Sequence, residues 1–175
     1  MKRKRSWALL AGGIALTAST AAAPAAAATS GSETFNGTIV TSGASGTRTV
    51  ITSVVIAKGA FSGVGRIVEV PNLPGDPDNV SRDDLVFASG SMHLVSTNLD
   101  FNISVNPRSC VATATIHQTG EIVGGTGQFA NATGSGTATV TGPAVLARNP
   151  DGSCNFEHVP LHEVDMFTST GTLSF

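Results

Sequence analysis

The chain of 175 residues has no tyrosine, two cysteines and a single tryptophan, Trp7, and only 13% of it is charged. Lacking tyrosine altogether and tryptophan beyond position 7, it has few of the aromatic platforms on which nucleobases and sugar rings stack. The body of the chain carries no block of one charge sign, which argues against a disordered acidic or basic tail. There is no Gly-x-Ser-x-Gly nucleophile elbow, and no glycine loop runs into Lys-Ser or Lys-Thr. These absences remove an α/β-hydrolase signature and a phosphate-binding P-loop. No repeat of fixed period points to a solenoid or propeller, and the length suits one domain.

The one long apolar run is Trp7 to Ala18, too short to span a bilayer. It follows the basic start Met1-Lys2-Arg3-Lys4-Arg5 and precedes small residues, Ala21 to Ala28, with Ala-x-Ala cleavage frames. This order predicts a removed secretory signal over residues 1–27, a single mature domain over 28–175, and a secreted, extracellular protein. Four basic residues leave with the signal, so six (Arg48, Lys58, Arg66, Arg82, Arg108, Arg148) face twelve acids, a net charge of −6. Such a protein releases few counterions from phosphates, which argues against nucleic-acid binding and against adhesion to anionic membranes. No second hydrophobic segment would anchor it after cleavage.

In an oxidising compartment, the two cysteines, Cys110 and Cys154, are expected to form a disulfide. Neither has the histidine or third ligand spacing of a metal site, and no cofactor motif is present. In the chain-entropy view such a bridge contributes about 4 kcal/mol.

Serine and threonine number 39, and with glycine and valine they make the composition of short strands and tight turns. Apolar and polar residues alternate over nine candidate strands: 34–41, 47–57, 63–70, 84–88, 91–97, 101–105, 110–117, 136–142 and 165–175. The clearest is Phe101-Asn102-Ile103-Ser104-Val105, whose odd positions are expected to face a core. No window of the mature chain shows the recurrence of an amphipathic helix. The class is therefore all-β, and a barrel is favoured because closure removes exposed edges. Three prolines make Val70 to Asn79 a long loop.

Residues Glu121 to Thr137 read as a strand, a tight glycine turn, a short irregular passage and a new strand, with Phe129 as an apolar anchor pinning the turn to a core. This segment resembles the Gly-Gly-Thr-Gly-x-Phe stretch of the allene oxide cyclase and dirigent superfamily. The matching positions are Gly124, Gly125, Thr126, Gly127, Phe129, Ala132 and Gly134. With Asn106 to Cys110 before it and Asp151 to Cys154 after it, it is similar to small secreted actinobacterial proteins of that barrel type. The resemblance covers about 70 residues, a moderately specific glycine-rich match. It implies an antiparallel, eight-stranded, calycin-like β-barrel whose mouth can hold an apolar small molecule, and it allows a homo-oligomer. It places no catalytic residue on this chain.

Two residues are candidate ligand contacts. Arg66 shares strand parity with Val64, Val68 and Val70, so a regular strand would set its guanidinium on an apolar face that could line a barrel; a bulge at Gly63 or Gly65 would turn it outward. His117, in register with Val111, Thr113 and Thr115, is the second. His158 and His162 are too far apart in an extended chain to share a metal, so 157–165 reads as a solvated loop or strand edge. Asp76, Asp78, Asn79, Asp83 and Asp84 could offer calcium a set of oxygens or serve only as solubilising charge. The leading expectation is a secreted barrel that binds a small apolar or amphipathic molecule. A cyclase or isomerase working in the cavity, and a ligandless structural or interaction module, are the alternatives. Thiol titration of the unfolded, non-reduced protein should find no free thiol; two would dismiss the bridge.

Overall fold

The computed structural model describes residues 29–175, and the signal peptide expected over 1–27 lies outside the described residues. Eight strands follow one another: β1 (Ser30–Ser42), β2 (Thr49–Gly59), β3 (Gly63–Val70), β4 (Val80–Phe87), β5 (Gly90–Asn106), β6 (Val111–Gly125), β7 (Thr133–Val145) and β8 (His162–Ser174). Each pairs antiparallel with the next, and β1 pairs with β8, so the sheet is a closed up-and-down barrel. The closing ladder runs unbroken from Ser30↔Ser174 to Ser42↔His162. The first, third, fifth and seventh connections lie at one end, here the mouth. The second, fourth and sixth lie at the other end, the base, together with both ends of the described chain.

Eight strands, not nine, are present because 91–97 and 101–105 belong to one strand. The β5–β6 register slips between Asn98 and Asp100, leaving Leu99 as a bulge that is 63% exposed. A bulge reverses strand parity. Met92, Leu94 and Ser96 share one face before it and Phe101, Ile103 and Val105 share the same face after it, through partners Ile116, Ala114 and Ala112. The predicted core role of the odd positions is corrected at the tip. There the β5–β6 hairpin runs towards the mouth, and Phe101 and Ile103 remain 58% and 48% exposed.

A second bulge lies in β2. Val40 pairs with Thr52 and Thr41 with Val50, leaving Ile51 outside at 62% exposure. Below it the odd residues Val55 and Ala57 point inward; above it the phase changes, and Arg48 turns to the mouth interior. The β2–β3 ladder is short, from Val55↔Gly65 to Ala57↔Gly63. Beyond it the Ser53 hydroxyl stands in for the missing rung, donating to the Ile67 carbonyl (2.8 Å) and accepting from the Ile67 amide (2.9 Å).

The base is filled by phenylalanine. Phe61, Phe87, Phe129 and Phe175 meet edge to face, with centroids 4.9 Å apart for Phe61–Phe87, 5.0 Å for Phe61–Phe129 and 5.2 Å for Phe129–Phe175. The glycine segment supplies the plug. Residues Gly127–Phe129 form a single 3-10 turn, Phe129 is fully buried as its anchoring role required, and Thr126 Oγ1 accepts from the Ser91 amide at 3.0 Å. Gly127 has φ +60°, and a Cβ there would stand 2.3 Å from the Ser89 carbonyl, so the turn sits directly on the β4–β5 hairpin. At the mouth a disulfide joins Cys110 to Cys154, tying the β5–β6 turn to the long β7–β8 connection.

Replacing Phe129 by alanine removes the centre of the plug. Urea unfolding should show a loss of about 3–5 kcal/mol, a large share of the stability of an ordinary domain.

Candidate functional site

Because inward and outward residues alternate, the interior is set by one residue in two on each strand. A row of inward positions crosses five strands as Ser96, Gly120, Gly136, Gly171 and Glu33, each paired with the next across its ladder. Four of these side chains are hydrogen or a single hydroxymethyl, so they leave space where a filled barrel would place bulk. The result is a cavity of about 630 Å³ between the phenylalanine plug and the mouth. Phe35, Ile39, Leu94, Ile116, Val140 and Phe167 form much of its apolar wall, with Gln118 among the polar groups. Phe167 lies over the inward face of its partner Gly37, where a Cβ would come within 2.4 Å of the ring.

Glu33 stands at the floor, on the inward face of β1. It is 2% exposed, and Oε2 accepts the Phe61 amide hydrogen bond at 2.8 Å. Its other oxygen, Oε1, is buried without a partner. A buried carboxylate oxygen left unpaired is costly, which makes it a natural acceptor for a donor brought in from outside.

The mouth is acidic around one guanidinium. Arg48 pairs with Glu69, with Glu163 (Nε to Oε2, 3.1 Å) and with Asp165 (Nη2 to Oδ2, 3.4 Å). Thr41, itself buried, donates to Glu163 Oε2 at 3.3 Å. Asp83 faces inward opposite Glu69 in the β3–β4 ladder. Burial pushes the Asp83 carboxyl up to about 6; Arg48 opposes this, and Asp84 adds to it. Asp165 is likewise pushed up to about 6, by burial first and then by Glu163, against the pull of Arg48. At the rim Arg82 is held by both oxygens of Asp76, at 2.7 and 3.0 Å, and this bidentate hydrogen bond draws the Asp76 carboxyl down to about 2.

Neither predicted ligand contact lies in the cavity. β3 is regular, and Arg66 does share a face with Val64 and Val68, but that face is the outer one, and Arg66 is exposed. The inner face of β3 is Gly63, Gly65, Ile67 and Glu69, where Phe61 and Phe87 cover the glycines. His117 is exposed on the outer face of β6, with Nδ1 3.2 Å from Thr139 Oγ1. The motif residues Gly124, Gly125, Thr126, Gly127 and Phe129 build the base plug, away from the mouth. Comparison with protein-family models, curated proteins and solved structures found no match.

The oxygens of 76–84 do not converge on one point. Asp76 is engaged by Arg82, Asp83 turns inward, and Asp84 turns outward to His93 Nδ1 at 2.6 Å, so a shared calcium site is not formed. His158 is exposed in the β7–β8 connection and His162 opens β8 on its outer side, whereas Glu163 and Asp165 of the same segment enter the mouth. Among the described residues no group of three or more His, Cys, Asp or Glu could hold a metal ion. Of the charged residues that line the site, Glu33, Arg48 and Glu69 carry no signal as site residues in the sequence, Asp83 is weighed there only for calcium, and Glu163 and Asp165 only as part of a solvated loop or strand edge. All but Arg48 stand in strand phase with a core-facing apolar neighbour: Glu33 with Phe35, Glu69 with Ile67, Asp83 with Leu85, and Glu163 and Asp165 with Phe167.

A carboxyl whose pKa is higher folded than unfolded takes up a proton on folding, so it favours the fold most at low pH and loses that contribution as pH rises through the folded value. With Asp83 and Asp165 raised to about 6, the melting temperature should climb by a few degrees between about pH 7.5 and pH 4.5. The contribution of Asp76 persists through this window because its carboxyl sits near 2. An Asp83→Asn, Asp165→Asn double variant should flatten the profile. A wild-type melting temperature that falls over this range would contradict the assignment.

Proposed function

We propose that the protein is a secreted barrel that binds a small apolar or amphipathic molecule in its interior. The observation that carries this reading is the cavity of about 630 Å³, with an apolar wall and a few convergent polar groups, the usual make-up of a ligand site. A ligandless module would fill that space with side chains, and the inward row Gly120, Gly136 and Gly171 instead keeps it empty. Secretion is supported by the basic and apolar N-terminus and by the Cys110–Cys154 disulfide, a bond typical of oxidising compartments. Kinship with the allene oxide cyclase and dirigent barrels is supported by the closed eight-stranded meander, with the glycine segment as its base plug.

A second reading, a cyclase or isomerase, draws on Glu33. A carboxyl group buried at the floor of a cavity with an apolar wall is the kind of group that can stabilise charge developing on an enclosed substrate.

Ala138 lines the cavity between Gln118 and Ser169, and phenylalanine there would occupy the space without touching the base plug. Nile red, a neutral apolar dye, should bind the wild-type protein with enhanced fluorescence and lose roughly tenfold or more in affinity with Ala138→Phe. The variant should melt no lower than the wild type. Absence of dye binding, together with a native mass spectrum of the exported protein that shows no bound molecule, would remove the reading.

A further inference from the structure

The chemistry of the cavity goes beyond its being apolar, because its charges are one-sided. Five carboxylates line it: Glu33, Glu69, Asp83, Glu163 and Asp165. Against them stand Arg48, already ringed by Glu69, Glu163 and Asp165, and Arg82, clamped by Asp76. An anionic head group entering this barrel would meet no uncommitted cation among the described lining residues, and it would approach a surplus of negative charge in a partly desolvated space. A neutral ligand would leave that surplus unused.

Glu33 adds an acceptor at a defined place. Its Oε2 is taken by the Phe61 amide, whereas Oε1, in a residue 98% shielded from solvent, has no hydrogen-bond donor. Resting on the reading that the cavity is the binding site, we propose that its ligand is an apolar molecule bearing a protonated amine, whose N–H groups are accepted by Glu33 at the floor. The ammonium satisfies the orphan oxygen through a charge-assisted hydrogen bond, and the apolar remainder lies along Phe35, Ile39, Ile116 and Phe167. The mouth carboxylates draw the cation in, an attraction that salt screens, while the pairing at the floor is shielded from salt.

The test uses three probes of equal chain length below their micellar concentrations, decylammonium, decanol and decanoate, each measured by displacement of Nile red at about pH 7.5. Decylammonium should bind roughly tenfold or more tightly than decanol, with decanoate weakest, and the order should persist in about 0.5 M salt. Glu33→Gln keeps an oxygen for the Phe61 amide and should lower decylammonium affinity roughly tenfold while changing decanol by less than about threefold. Asp165→Asn, at the partly open mouth, should reduce the ammonium preference less, and mainly at low salt. Decanoate binding as tightly as decylammonium, or an ammonium preference untouched by Glu33→Gln, would overturn the amine proposal and leave the apolar cavity standing. Failure of all three probes and of Nile red would overturn both.

Discussion

Closure of the sheet is the constraint on which everything else in this molecule depends. Once β8 hydrogen-bonds to β1, the sheet has no terminal strand, and nearly every second side chain is committed to one enclosed volume. At the base that volume is overfilled relative to the strands' own residues, because phenylalanines from turns and the chain end converge there. In the middle it is underfilled, because a ladder row of Gly120, Gly136 and Gly171 contributes no side chains. The protein is thus a cup, with its bottom made by aromatic packing and its hollow made by glycine.

Two bulges then decide what the cup presents. The extra residue at Ile51 reverses the phase of β2 and sends Arg48 to the interior of the mouth, where its guanidinium links the β2 end of the wall to β3 and β8. This link crosses the part of the wall where the β2–β3 ladder is shortest. The extra residue at Leu99 returns Phe101 and Ile103 to the inward face of β5, beyond the polar Ser96 and Asn98, and there they stand exposed towards the mouth. One side of the opening is therefore acidic and the other apolar.

The carboxylates at the mouth are not arranged for stability. Asp83 opposes Glu69 across a ladder, and Asp165 and Glu163 share one arginine while partly buried. Burying carboxylates beside further carboxylates costs free energy, and the upward shifts record it: burial is the main cause for both Asp83 and Asp165, with Asp84 adding to the first and Glu163 to the second. Local conflict of this kind, in a chain whose turns, plug and strand pattern otherwise agree, marks the region in which sequence serves something besides folding. Glu33, buried with one oxygen unpartnered, belongs to the same pattern.

Much of the architecture was legible because it rests on local rules. Alternation identified β3 at its observed limits, 63–70, and placed a part of every other strand; glycine and proline marked most connections; Phe129 announced itself as the only large apolar residue in a glycine turn; and two cysteines left one pairing. The site was not legible, for two reasons. A bulge is a single residue that local pattern does not distinguish from its neighbours, yet Ile51 and Leu99 determine which way Arg48 and Phe101 point. The assumption that apolar faces turn inward also failed on β3, where Val64 and Val68 lie outside with Arg66 because the inner face needs glycines to admit Phe61 and Phe87. By itself the sequence determined the strand class, the turn chemistry and the disulfide, all set by local geometry and residue type. Only the tertiary structure decided which residues meet in the cavity, because inside and outside have no meaning until the ring of strands closes.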